Sequence, residues 1–134
     1  MIAKIILWCV AAFYAYGAVV HVMNIAGLSG FDWMRAPLKW QVLDIVYLIL
    51  DVLVAVGIVL GWRAGYFAFF AAALSQIVLY TMFRSWIVDV PQEFARSPEE
   101  IKYLDGLVLF HVITIALVVL AIWLMRSPVS TPSQ

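Results

Sequence analysis

Two carboxylates, Asp44 and Asp51, lie in the segment QVLDIVYLILDVLVAVGIVLG, which is otherwise almost entirely apolar. Their spacing of seven residues places both on one face of a helix, with Tyr47 between them on that face. An isolated charge at the centre of a bilayer costs about 2.5 to 3.5 kcal/mol even on the lenient insertion scale. We therefore expect Asp51 to be either protonated or paired inside a functional cavity.

Other apolar segments also carry polar residues at helical spacing. They are Tyr14, His21 and Asn24, then Gln76, Tyr80 and Arg84, and finally His111 and Thr114. Spacings of three, four and seven keep each set in one stripe, which should face a shared interior because lipid cannot satisfy polar groups. At about 1.5 Å per residue, both histidines lie roughly 8 to 12 Å from the same membrane surface. The predicted ligand-binding residues are His21, Tyr47, Asp51, Gln76, Tyr80 and His111.

Structural roles also account for several of these residues. Asp44 and Arg84 have matching depth on consecutive antiparallel helices, which predicts a structural ion pair near the membrane surface. Asn24, Gln76 and Thr114 have the chemistry of interhelical hydrogen bonding. The tyrosines can serve as packing residues with a polar tip, so the strongest functional group is the set of two histidines and Asp51.

The composition defines the elements that must hold these residues. The chain has 134 residues, of which 66% are hydrophobic and 12% are charged, with mean hydropathy +1.05 and zero formal net charge. Such a chain is an integral membrane protein, and no basic excess indicates nucleic acid as a partner. We predict an all-α bundle of four transmembrane helices as a single domain over 1–134. The spans are 5–26, 42–62, 65–86 and 103–125, followed by a loose polar tail at 127–134.

Two longer loops are predicted to lie on one side of the membrane and to be partly ordered. Phe31, Trp33 and Trp40 suit the membrane border, and Ser97 with Glu100 forms a capping-box pattern that starts the last helix near Pro98. The other side holds both termini and three Lys/Arg residues, against five in the loops. That count favours cytoplasmic loops, whereas the basic start of the first helix favours cytoplasmic termini, which we adopt as our prediction.

Two segments resemble the DoxX-like superfamily of small four-helix membrane proteins. They are FYAYGAVVHVMNIAG in the first helix and LILDVLVAVGIVLGWRAGYFA, in which Asp51 matches an acidic position and Gly57 and Gly61 match glycine positions. The resemblance covers roughly 13–73. It implies a bundle of the bacterial inner membrane that accompanies membrane oxidoreductase or quinol-oxidising systems, and it implies no defined catalytic activity of its own.

Three functional hypotheses follow. The first is an accessory subunit of a membrane electron-transport system, associated with other subunits or with itself, whose cavity binds a quinone or a lipid. The second is a haem b electron carrier with His21 and His111 as axial ligands, because two histidines at equal depth on antiparallel helices suit one haem. The third is an oligomeric proton-coupled transporter that uses Asp51. No catalytic triad, zinc motif or phosphate-binding glycine loop supports catalysis on a soluble substrate.

Overall fold

A computed structural model describes residues 1–30 and 32–126 and contains four long helices with one short one between them. The helices are α1 (Ile2–Ile25), α2 (Leu38–Val59), α3 (Arg63–Thr81), α4 (Arg84–Val88) and α5 (Pro98–Arg126). All except α4 are long and apolar enough to cross a membrane. The predicted all-α four-helix bundle is therefore confirmed. The predicted border residue Phe31 and the predicted tail at 127–134 lie outside the described residues.

The four long helices form a closed ring. Helix α1 packs against α2 and α5, and α3 packs against the same two helices. Toward the end of the bundle opposite the long loops the interior is mainly apolar, and Val54, Phe69 and Val118 have no exposed surface. Large apolar side chains such as Trp8 and Phe67 are more than half exposed on the outside of the ring. This arrangement is that of a multi-pass membrane protein, whose outer surface meets lipid instead of water.

Two helices end in the same glycine motif. In α2, Gly61 adopts a left-handed φ of 69°, and the amides of Gly61 and Trp62 donate to the carbonyls of Ile58 and Gly57. In α1, Gly27 has a φ of 71°, and the amides of Gly27 and Leu28 donate to the main-chain carbonyls of Asn24 and Met23. These Schellman motifs satisfy the last carbonyls of a helix and require a residue that tolerates positive φ. The first motif produces the predicted tight turn between α2 and α3.

Helix α3 ends earlier than predicted. The predicted third span reached residue 86, but α3 ends at Thr81 and the chain turns at Phe83 before α4 begins. The Arg84 Nε atom then donates to the Tyr80 carbonyl over 2.9 Å, which satisfies one of the carbonyls exposed at the end of α3. Because of this turn, Arg84 begins α4 and its side chain leaves the direction expected for a continuous α3.

The start of α5 was predicted correctly. The Glu100 amide donates to Ser97 Oγ over 3.2 Å, and the Ser97 amide donates to the Glu100 carboxylate over 2.9 Å. This reciprocal pair is the predicted capping box. With 29 residues, α5 is about 43 Å long, compared with about 30 Å for the hydrocarbon core, so its first turns extend beyond the membrane.

The N-terminal turn of α2 anchors both long loops. Lys39 Nζ donates to the carbonyls of Trp86 and Asp89, and Trp40 Nε1 donates to the Ile87 carbonyl over 3.0 Å. The Gln41 side-chain amide donates to carbonyls of the 3₁₀ turn formed by Trp33–Arg35 and of Ala36. Because these donors come from one helix end, both loops are held over the same end of the bundle.

Candidate functional site

The centre of the candidate site is His21, which lies between two carboxylates of α2. His21 Nδ1 donates to Asp44 Oδ1 over 2.7 Å, and Asn24 Nδ2 donates to the same oxygen over 3.4 Å. On the other side of the ring, His21 Nε2 lies 3.8 Å from Asp51 Oδ2. The imidazole therefore bridges two acids that are one heptad apart on the same helix face.

The predicted ion pair between Asp44 and Arg84 is wrong. Asp44 is paired with His21, and Arg84 forms its ion pair with Asp105 of α5. The early end of α3 explains the difference, because Arg84 belongs to α4 and does not continue the polar stripe of α3. Asp44, predicted to have a structural role, is thereby brought into the candidate site.

A glycine on α1 makes room for the deeper acid. Gly17 faces Asp51, and a Cβ atom at residue 17 would collide with Asp51 Oδ2. Asp51 is 4% exposed, and His21 is one helical turn further along α1. The absence of a side chain at residue 17 lets the carboxylate lie against α1 and approach the imidazole.

A cavity of about 450 Å³ opens beside this cluster, between the helix ends that carry the two long loops. Its polar wall includes His21, Asn24 and Asp44, and three phenol rings lie in the same wall at Tyr47, Tyr80 and Tyr103. The apolar lining consists of Leu43, Ile87, Val88, Ile101, Leu104 and Leu107. The cavity is therefore mostly apolar, with its hydrogen-bonding groups concentrated around one histidine–carboxylate pair.

The cavity mouth is formed by Trp40, Arg96 and Glu100, which also line an outer cavity of about 500 Å³. The Arg96 guanidinium lies 4.9 Å from the centre of the Trp40 ring and 3.1 Å from Glu100 Oε1. Arg96 is thus held by a cation–π contact and an ion pair at the entrance.

Tyr47 links the site to α3. Its ring is stacked on that of His21 at a centroid distance of 6.3 Å and an interplanar angle of 21°. Its hydroxyl is 3.0 Å from Ser75 Oγ, and Ser75 in turn donates to the Ala72 carbonyl. The ring orientation of His21 is therefore fixed by a hydrogen bond on one side and by stacking on another.

The structure divides the six predicted ligand-binding residues into two groups. His21, Tyr47 and Tyr80 line the cavity, and Asp51 lies behind His21. Gln76 and His111 form a separate buried pair, in which His111 Nε2 donates to Gln76 Oε1 over 2.9 Å. This hydrogen bond joins α3 to α5, which fits the structural role in interhelical hydrogen bonding that was the alternative prediction for Gln76. His21 and His111 were predicted to share one site because of their equal depth, but they lie in two separate groups.

Sequence reasoning missed the contribution of α5 to the cavity. Glu100, Leu104 and Leu107 follow one another at helical spacing and continue toward His111, so they share one face of α5. The capping box had already indicated that this helix begins well before the predicted span. Extending the polar stripe of His111 toward that start would have identified these lining residues.

The two histidines do not fit a bis-histidine haem. His111 Nε2 and His21 Nδ1 carry the protons that they donate to Gln76 and Asp44, and His21 Nε2 faces the Asp51 carboxylate. The remaining nitrogen, His111 Nδ1, is buried near the Tyr14 ring, whose centroid lies 6.4 Å from that of His111. Iron ligation by His111 Nε2 would require its hydrogen bond to Gln76 and the packed interior around it to rearrange.

Comparison with known proteins gives no relative. No family model, no curated protein and no solved structure matches this chain. The resemblance to the DoxX-like superfamily therefore remains a prediction.

Proposed function

We propose that this protein binds a membrane-soluble quinone in the cavity beside His21 and Asp44. It would act as a non-catalytic accessory subunit of an oxidoreductase system in the bacterial inner membrane, with the start of α1 and the end of α5 facing the cytoplasm. The observation that carries the proposal is the His21–Asp44 hydrogen bond of 2.7 Å in the wall of a mainly apolar cavity. A quinone ring requires apolar walls and hydrogen-bonding groups that can exchange protons at its oxygens.

The size and chemistry of the cavity support a ring-shaped head group. A volume of about 450 Å³ lies within the usual range for small-molecule sites, about 300 to 1,000 Å³. Leu43, Leu104 and Leu107 offer apolar surface to a ring. The hydroxyls of Tyr80 and Tyr103 can donate to quinone carbonyls, and Asp44 can accept from a quinol hydroxyl.

The charge of the cavity favours a neutral head group over a lipid phosphate. Asp44 lines the cavity and Asp51 lies directly behind His21. The cation at the mouth, Arg96, is already paired with Glu100. A phosphate would therefore meet carboxylates without an uncompensated cation near the base of the cavity, whereas a quinone brings no charge.

The test is equilibrium binding of a short-chain benzoquinone to the purified protein in detergent, measured by calorimetry. His21→Ala removes the short hydrogen bond to the Asp44 carboxylate in the cavity wall, so the acceptor oxygens of a quinone would meet a less compensated negative charge. A charged hydrogen bond contributes about 1.5 to 3 kcal/mol, and we expect a loss of this size, about 10- to 150-fold in binding. His111→Ala is the matched control, because it removes a buried imidazole outside the cavity wall and should leave the affinity unchanged. Leu107→Trp, which fills the cavity, should abolish binding.

Equal affinities in His21→Ala and the unaltered protein would reject the quinone site. Displacement of the quinone by phospholipid at the same site, with no effect of His21→Ala, would assign the cavity to a lipid tail instead. The accessory role is tested separately by chemical crosslinking in native membranes and identification of attached subunits. Recovery of the protein only as a monomer or homo-oligomer would contradict that role.

A further inference from the structure

The imidazole of His21 connects carboxylates at two depths in the membrane. Its Nδ1 atom donates to Asp44 over 2.7 Å, and its Nε2 atom lies 3.8 Å from Asp51 Oδ2. Imidazole can accept a proton at one nitrogen while releasing another from the opposite nitrogen. We propose that Asp44, His21 and Asp51 form a proton relay that exchanges protons with the cavity and stores them at Asp51.

The two ends of this relay differ in their surroundings. Asp44 lines the cavity, whereas Asp51 lies about 10 Å deeper along α2, at seven residues of about 1.5 Å each. A carboxylate at that depth is unfavourable unless it is protonated or paired. The charge of Asp51 is therefore tied to the protonation state of His21, the basic group beside it.

Each transfer conserves protons and charge within the three residues. When Asp51 is protonated, a closer approach than 3.8 Å lets its carboxyl proton pass to His21 Nε2, and the Nδ1 proton passes to Asp44. The O–H bond at Asp51 breaks, an O–H bond forms at Asp44, and His21 ends neutral with its proton on Nε2. The reverse sequence carries one proton from the cavity to Asp51 and restores the Nδ1–H tautomer.

The relay opens to one side of the membrane only. Beyond Asp51, toward the end of the bundle opposite the long loops, the interior contains Val54, Phe69 and Val118 with no exposed surface. These side chains neither donate nor accept protons, and the buried hydroxyl of Tyr14, which packs against Phe69, has no hydrogen-bond partner among the described residues to continue a path. Protons therefore enter and leave through the cavity, which distinguishes a proton store from the transmembrane pathway of a transporter.

Other titratable groups surround the relay and must be considered in its titration. They are Tyr14 on α1, Tyr47 on α2, Tyr80 on α3, Glu100 and Tyr103 on α5, and Arg96 in the preceding loop. Tyr47 lies between the two carboxylates along α2, but its hydroxyl is paired with Ser75, whereas the two ring nitrogens of His21 face Asp44 and Asp51. We therefore expect replacement of His21 to isolate Asp51 from the cavity.

In a quinone-binding protein the relay would take up the protons that a quinol releases on oxidation, and this role rests on the proposed function. The relay itself depends only on the three side chains and not on a bound quinone. Its test therefore uses the purified full-length protein without quinone, so that the binding and relay experiments can fail independently.

The experiment is a rapid pH jump followed by infrared spectroscopy of the carboxyl C=O band. Asp51→Asn identifies the band of protonated Asp51 by removing it. His21→Gln keeps an amide that can donate to Asp44 but cannot carry a proton, and it should slow the appearance of this band by at least about tenfold. His111→Gln makes the same replacement at the buried histidine outside the relay and should leave the rate unchanged.

Gly17→Ala provides a second variant that retains every titratable group. Because the added Cβ collides with Asp51 Oδ2, the carboxylate must move, and the protonation rate should also fall. Unaltered rates in both His21→Gln and Gly17→Ala, or equal slowing in His111→Gln, would overturn the relay. Proton flux across liposomes that depends on Asp51 would overturn its one-sided character.

Discussion

Gly65 of α3 lies against the backbone of α2, and this contact gives a quantitative prediction for bundle stability. A Cβ atom at residue 65 would lie 2.5 Å from the Gly57 carbonyl carbon and 2.7 Å from Ile58 N. Ordinary contacts between carbon atoms are about 3.5 to 4.0 Å. Both obstructing atoms belong to the main chain of α2, so no side-chain rotation can make room. In Gly65→Ala the two helices must separate by about 1 Å at this crossing.

The expected loss of stability follows from three contributions. Overpacking costs about 1 to 3 kcal/mol, and rigid backbone atoms place this site near the upper end of that range. Alanine recovers about 1 kcal/mol through its higher helix propensity. The added methyl gains little from burial, since lipid is as apolar as the bundle interior. We therefore expect Gly65→Ala to lower the free energy of unfolding by about 2 kcal/mol.

The assay is reversible unfolding with SDS in mixed micelles, followed by circular dichroism. Gly106→Ala is the control, because a Cβ atom at this helical position of α5 meets no other atom within 4 Å. Its improved helix propensity should raise stability by about 0.5 to 1 kcal/mol. If Gly65→Ala were as stable as the unaltered protein, the close backbone contact between α2 and α3 would be refuted.

Three further predictions concern other parts of the molecule. Tyr47→Phe should lower the free energy of unfolding by about 0.5 to 1.5 kcal/mol in the same assay, because it removes the hydrogen bond to Ser75, and an unchanged value would contradict that bond. Ser97→Ala should cost about 1 kcal/mol and accelerate hydrogen exchange at amides 100–102, whereas native protection would argue against the capping box. For orientation, Glu99→Cys combined with Cys9→Ser should react in intact cells with a membrane-impermeant maleimide, and protection until lysis would place the long loops in the cytoplasm.

The orientation prediction has a matched control in the same chain. Arg63→Cys, also combined with Cys9→Ser, places the label in the tight turn at the other end of the bundle. This residue should be labelled only after lysis if the loops face outward. The opposite labelling pattern for the two variants would reverse the proposed topology while leaving the fold unchanged.

Much of the fold could be predicted because its causes are local in the sequence. Long apolar runs specify membrane helices, the residues around Gly61 specify a tight turn, and the Ser97–Glu100 pattern specifies the start of α5. Each of these features depends on residues within one or two helical turns. The early end of α3 was not predicted, because the segment that continues from Thr81 into α4 remains apolar apart from Arg84 and Ser85.

The sequence by itself determined that four helices cross a membrane and that each carries its polar residues in one stripe. Only the tertiary structure decided which stripes meet. Helix rotation and lateral order depend on contacts such as Gly57 with Gly65, which join residues on different helices and leave no periodic signal in either. These contacts pair His21 with Asp44 and Asp51, and they place His111 with Gln76 outside the cavity.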